Sequence, residues 1–275
     1  MKENQSEITI NFNELLEIAL TGVRRVSIFM GFGVNAAQDE QFKTFQLSQI
    51  TKIQLVSSNV SDEVLRQYKE KFLIWIEAQG FRDLVETFAV YLDSLFEACQ
   101  LIKTKEVSEE NRNNHLDFCK KGTWQKLQIL KEQFSVQPDN PNYLISLTWA
   151  RNCLVHRQGI VGPEDIPGNG NALEIDWLGM DILIKTPSGE EHYLFDNPQQ
   201  KSLDLPDGGK MMLKFIERRR RYTLGETLTL STRDLAEISW FYAREAKSIC
   251  KKSEAFAKKS GIPVNETPAP PDSNT

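Results

Sequence analysis

Between Ser61 and Lys103 the sequence carries two successive runs of apolar residues at helical spacing, and nothing else in the chain limits its fold as strongly. Val64, Leu65, Tyr68, Phe72, Ile74, Trp75 and Ile76 follow an N-cap signal at Ser61-Asp62-Glu63, and Leu84, Val85, Phe88, Leu92, Leu95, Phe96 and Cys99 follow Phe81. Gly80 separates the runs and leaves two readings open, a helical hairpin or one long kinked rod. Either one must bury a broad apolar stripe against other helices, so the chain reads as a helical bundle.

The flanking segments agree. Phe12, Leu15, Leu16, Ala19, Leu20, Val23, Val26 and Phe29 predict a helix from about Asn11 to Met30, ended by Gly31-Phe32-Gly33. That Gly-x-Gly follows no strand and lacks a third glycine, so it reads as a turn and not as a phosphate loop. Residues 36–56 allow a second, shorter helix or a loosely packed loop. A polar connection at 108–114 leads to an amphipathic helix built on Trp124, Leu127, Leu130 and Phe134. Gln137-Pro138-Asp139-Asn140-Pro141 breaks the chain and starts a further helix, Pro141 to Gln158.

Beyond that helix the period changes from helical to alternating. Leu173, Ile175 and Trp177 alternate with Glu174 and Asp176, and strands at 182–185 and 193–195 flank the turn Thr186-Pro187-Ser188-Gly189. Two more strands are expected at Lys210–Glu217 and Arg221–Leu230, separated or continued through the arginine run. Ser231-Thr232-Arg233-Asp234 then opens a last helix that Gly261-Ile262-Pro263 stops. The expected organisation is mainly α: an antiparallel helical bundle over 1–157, a small β-rich insertion over 158–230, a closing helix over 231–260 and a disordered tail over 261–275.

Composition excludes several classes. No window approaches the roughly 18 apolar residues of a membrane span, and a soluble cytoplasmic protein is expected. Cys99, Cys119, Cys153 and Cys250 are far apart and form no Cys-x-x-Cys pair, so they read as small buried hydrophobes and not as disulfides or a zinc site. The three histidines are scattered, so neither a metal nor another cofactor is expected; His115 reads as a surface residue and His192 as one in a strand. The net charge of −5 is unevenly spread, because residues 201–260 hold 14 Lys/Arg against 8 Asp/Glu. A basic face on an acidic body is one outcome of that spread, and solvated lysine-rich helices are the other.

The chemistry concentrates in Leu147-Thr148-Trp149-Ala150-Arg151-Asn152-Cys153-Leu154-Val155-His156-Arg157. Helix geometry puts Ile145, Trp149, Asn152 and His156 on one side, with Arg151 on the neighbouring stripe of Leu144, Leu147, Leu154 and Val155. A guanidinium can grip a phosphate, an amide can position a hydroxyl, and an imidazole can move a proton near neutral pH. Those parts suffice for metal-free RNA cleavage. The 2′-hydroxyl attacks the adjacent phosphorus, His156 serves as general acid or base, and Arg151 stabilises the charge on the phosphorane. One histidine per chain does not readily supply both acid and base, which favours a two-fold dimer. The alternative is a buried Arg-Asn-His network that only fixes helix packing. Arg157 and Trp149 are further candidates for RNA contact. So are Arg218, Arg219, Arg220, Arg221 and Tyr222, although four arginines on a strand alternate between faces and also guard a sheet edge.

Arg151-Asn152-Cys153-Leu154-Val155-His156 resembles the signature of the HEPN superfamily, an Arg followed by a polar residue, often Asn, and then a His. The resemblance implies an α-helical bundle that dimerises and, in many members, a metal-independent endoribonuclease of toxin–antitoxin, anti-phage or RNA-processing systems. Arg151 and His156 would be the catalytic pair and Asn152 the supporting residue. An antitoxin or nucleotidyltransferase partner is implied for some members, and others have lost catalysis and serve as RNA-binding or scaffold modules. The likeness rests on six residues, and the β-rich insertion departs from it.

Overall fold

The structure, a computed structural model, describes residues 9–43, 45, 60–168, 170–194 and 208–264. The short helix or loop expected over 36–56 lies mostly outside the described residues, as do the strand end at Phe195 and the disordered tail expected from 265. The chain is mainly helical, with helices α1 (Phe12–Gln38), α2 (Asp62–Thr104), α3 (Glu109–Cys119), α4 (Thr123–Phe134), α5 (Pro141–Arg157) and α6 (Thr232–Lys259). Strands β1 (Ala172–Lys185), β2 (Glu191–Tyr193) and β3 (Lys210–Thr223) form an antiparallel sheet of order β2-β1-β3 between α5 and α6. No helix among the described residues is long and apolar enough to cross a membrane.

Of the two readings of 61–103, the single rod is the one observed. α2 runs for 43 residues through Gly80, starting where the Ser61 hydroxyl accepts from the Val64 N–H. The expected end of α1 at Gly31-Phe32-Gly33 is overturned, because the helix continues to Gln38. Gly33 serves close packing and not a turn, while Gly31 faces open space inside the helix. A Cβ at Gly33 would come within 2.5 Å of Ile76, and one at Gly22 or Gly80 would overlap Thr87 or Met30, so α1 and α2 approach backbone to side chain. Burial along that seam offsets the intrinsic cost of roughly 1 kcal/mol for glycine inside a helix. The polar stretch expected to be a connection is also helical, as α3, capped by Ser108.

One apolar core joins the bundle and the sheet. Leu84, Phe88, Leu92 and Leu95 of α2, Leu144, Leu147 and Ala150 of α5, and Ile238, Phe241 and Tyr242 of α6 meet Leu173, Ile175 and Trp177 of β1. Along β1 these inward residues alternate with the half-exposed Glu174, Asp176 and Leu178, the pattern of a strand packed on one face. The two strands predicted in this half are one, continuing through Gly179, where a Cβ would overlap the Glu237 carboxylate. The arginine run likewise lies inside a continuous β3, and no strand follows at 224–230. A smaller cluster of Ile10, Phe12, Ala98, Ile102, Cys250, Ala257 and Ile262 closes the far end, where Ile10 bridges Val264. Residues 261–264 are therefore packed. Cys99, Cys153 and Cys250 are buried as expected, with burial pushing each thiol up to about 12, whereas Cys119 is exposed.

Candidate functional site

Helix α5 is fixed at four points, and each fixes a residue of the motif or its approach. At its start Pro141 occupies the first turn, but Asn140 gives its side chain away instead of capping the helix. Its backbone N–H donates to Glu245 Oε2 at 2.9 Å and its Nδ2 donates to Oε1 at 2.8 Å, so a fully buried carboxylate of α6 holds the N-terminus. One turn on, the Ser146 hydroxyl accepts from the Asp176 N–H of β1 at 3.0 Å. The third point is Arg151, whose Nη2 donates to Glu86 Oε1 of α2 at 2.7 Å. The fourth is Arg157, which grips Asp165 in the 3₁₀ turn Pro163–Asp165, with Nε to Oδ2 at 2.6 Å.

Gln158 caps the end of α5 in the left-handed conformation, and its N–H donates to the Cys153 carbonyl. His156 therefore lies in the final turn, where the exposed helix carbonyls favour a cation. It is exposed, and its side chain makes no hydrogen bond or ion pair among the described residues. Asn152, one turn earlier, is half-buried and its Oδ1 accepts from Arg151 Nη1 at 3.0 Å. The Arg151 side chain is 19 % exposed, its Nε has no partner among the described residues, and Glu86 is shared with Arg82 at 2.8 Å. Burial alone would raise the Glu86 carboxyl, but hydrogen bonds from Arg82 and Arg151 outweigh it and hold the group below the usual carboxylate range.

The one-sided stripe read from spacing is present. Ile145, Trp149 and Asn152 are half-buried and His156 is exposed, while Leu144, Leu147, Ala150, Cys153 and Leu154 fill the core. The polar residues are thus not sealed inside the bundle, and Arg151 reaches from the core stripe towards α2. Trp149 lines a groove of about 710 Å³ with Trp124, Asn142, Ile145, Asn171 and Asp176. Trp124, expected on the apolar face of α4, is instead 56 % exposed at its start.

The other basic candidates are committed to partners, and the faces alternate as a strand requires. Arg218 is held by Asp181 at 2.6 Å and by Glu237, and Arg220 pairs with Asp234 at 2.9 Å while lying over the Trp177 ring. Glu237 also accepts from Trp177 Nε1 at 3.0 Å. Arg219 and Arg221 stand opposite Asp176 and Glu174 across the strand pair, where Arg219 Nε donates to Asp176 at 2.6 Å and Arg221 lies 3.6 Å from Glu174. The Tyr222 hydroxyl donates to the Thr229 carbonyl. The structure does not bring Arg218 or Arg220 to α5; it does place the ion pairs of Arg219 and Arg221 on the carboxylates that border the Trp124–Trp149 groove.

His115 is a half-buried residue of α3 with Nδ1 3.8 Å from Glu97, and His192 lies in β2 beside Glu190 at 3.7 Å. Among the described residues no three His, Cys, Asp or Glu side chains converge as metal ligands. Sequence spacing missed three residues that shape the site: Glu86, Glu245 and Trp124. The first two act on α5 from 65 and 105 residues away. No local signal marks them. Comparison with protein-family models, curated proteins and solved structures gives no match, so the reading of the site rests on its own geometry.

Proposed function

We propose that α5 carries a HEPN-type ribonuclease centre in which Arg151, Asn152 and His156 cleave RNA without a metal ion. The observation that carries this reading is the pairing of an unengaged, exposed His156 with an Arg151–Asn152 hydrogen-bonded unit on the preceding turns. A histidine kept only for packing has no reason to stand free at a helix end. His156 takes the proton from the 2′-hydroxyl or gives one to the leaving 5′-oxygen, and Arg151 neutralises the phosphorane oxygens. Asn152 keeps the guanidinium in plane. Because neither His115 nor His192 is on α5, the second proton-transfer group comes from the same helix of a second copy, and the working unit is a homodimer.

A second reading is favoured by one specific observation. Glu86 already neutralises Arg151, which is the arrangement expected of a non-catalytic module that binds RNA or a protein through the same face. Incubating the purified chain and its H156A and R151A variants with total and transfer RNA in EDTA separates the two. The ribonuclease reading expects cleavage that leaves 2′,3′-cyclic phosphate ends and is lost in both variants while their circular dichroism is unchanged. Intact RNA under every condition, with equal RNA affinity in all three proteins, refutes it.

A further inference from the structure

The groove between α4, α5 and β1 has the chemistry of a slot for an unpaired base. Trp124 stands at its rim with more than half of its surface in solvent, although a tryptophan left exposed forgoes burial worth roughly 2–3 kcal/mol. Trp149, Asn142 and Asn171 line it too, with Asn171 Oδ1 accepting from Arg221 Nη2 at 2.7 Å. The carboxylates of Asp176 and Glu174 border the groove too, but Arg219 and Arg221 hold them, so among the described residues the lining offers balanced charge and no free cation for a phosphate. Aromatic faces, amides and balanced charge suit a neutral, flat, hydrogen-bonding group, which is the description of a nucleobase.

Position makes the inference specific. Trp149 and His156 are seven residues apart on the same face of α5, which puts them about 10 Å apart along the helix axis. A base in the groove therefore belongs to a nucleotide near the scissile phosphate but not to the reacting ribose. Resting on the ribonuclease reading of α5, we propose that the Trp124–Trp149 groove is a subsite for an unpaired base beside the cleavage position, and that it restricts the substrate to single-stranded RNA. A base paired within a helix is stacked and cannot enter the slot.

The test uses the full chain carrying H156A, so that the strand stays intact, with tryptophan emission as the readout. Titration with a short, unstructured oligoadenylate is expected to quench the emission, and a blunt RNA duplex of equal length should bind at least roughly tenfold more weakly. In the H156A background W124A should weaken oligoadenylate binding roughly 5- to 150-fold, the range for loss of one stacked base, while W124F keeps it within about threefold. Trp124 is largely exposed, so both variants should melt with their parent. Equal oligoadenylate affinity in the W124A and parent proteins, equal affinity for duplex and single strand, or no quenching at all overturns the subsite. Because binding is read in a protein that does not cut, a failure of the cleavage assay leaves this result standing. Conversely, wild-type cleavage accompanied by an indifferent W124A removes the groove alone.

Discussion

The Arg157–Asp165 contact sets how firmly the end of α5 is held, and a double-mutant cycle measures it. The Asp165 side chain is 1 % exposed and accepts twice from Arg157 and once from the Gly162 N–H at 2.9 Å. Burial by itself would raise its pKa, but the Arg157 and Gly162 hydrogen bonds outweigh burial and hold the carboxyl below its usual range. Removing one member of a sealed ion pair costs about 3–5 kcal/mol. Arg157, at 29 % exposure, can recover water, so the expected loss for D165A is lower, about 2–3 kcal/mol. That corresponds to a fall in melting temperature of about 4–12 °C for a chain of this size. R157A leaves the sealed Asp165 carboxylate unpaired and should lose more, about 3–5 kcal/mol, and the double variant no more than R157A, giving a coupling of about 2–3 kcal/mol by urea denaturation at pH 7. The pH dependence has a definite sign. A depressed carboxyl pKa contributes stability above the unfolded-state value and loses it as pH falls through the folded one. The gap between wild type and D165N should thus stay level from about pH 7 to 5 and narrow below about pH 4. Single-variant losses under about 0.5 kcal/mol, or additive effects in the double variant, would refute the reasoning.

Two further outcomes follow from the same geometry. Arg218 lies between Asp181 and Glu237, both 9 % exposed and both also paired with Arg233, whereas Arg219 is 64 % exposed, so R218A should cost about 2–3 kcal/mol and R219A under about 1 kcal/mol in parallel denaturant melts. Similar losses in the two variants would contradict this division of the arginine run. Burial pushes the half-buried Glu77 up to about 7, so its charged form opposes folding. An acid whose folded pKa is raised loses stability as pH climbs from its unfolded value to its folded one. With allowance for its partial exposure, E77Q should gain about 1 kcal/mol at pH 8 and nothing at pH 4; an equal effect at both pH values would exclude titration of Glu77 as the cause.

Local signals located most of the helices because their causes are local. Ser61 and Ser231 accept from backbone N–H groups in the first turns of α2 and α6, and Pro141 starts α5. The failures came where tertiary contact outweighs propensity. Gly31 and Gly33 read as a stop, yet the approach of Ile76 makes Gly33 a packing residue inside α1. Trp124 read as core because it shares the spacing of Leu127 and Phe134, and spacing does not reveal which side of a helix start faces a groove. At the site, the one-sided stripe of Trp149, Asn152 and His156 was legible from helical geometry. The commitment of Arg151 to Glu86 was not, because nothing near either residue distinguishes Glu86 from the other carboxylates of α2.

The hold of Glu245 on Asn140 has a consequence for the order in which the protein is made. The start of α5 depends on a carboxylate that follows it by 105 residues, in the middle of the last helix. During synthesis the motif helix leaves the ribosome long before that anchor exists, and the sheet that supplies the Asp176 contact also emerges first. A nascent chain halted before α6 therefore carries every residue of the motif and the partners at Glu86, Asp165 and Asp176, but not the hold on the first turn of α5. Completion of the last helix supplies that hold, so the N-terminus of α5 is the last part of the motif helix to be fixed.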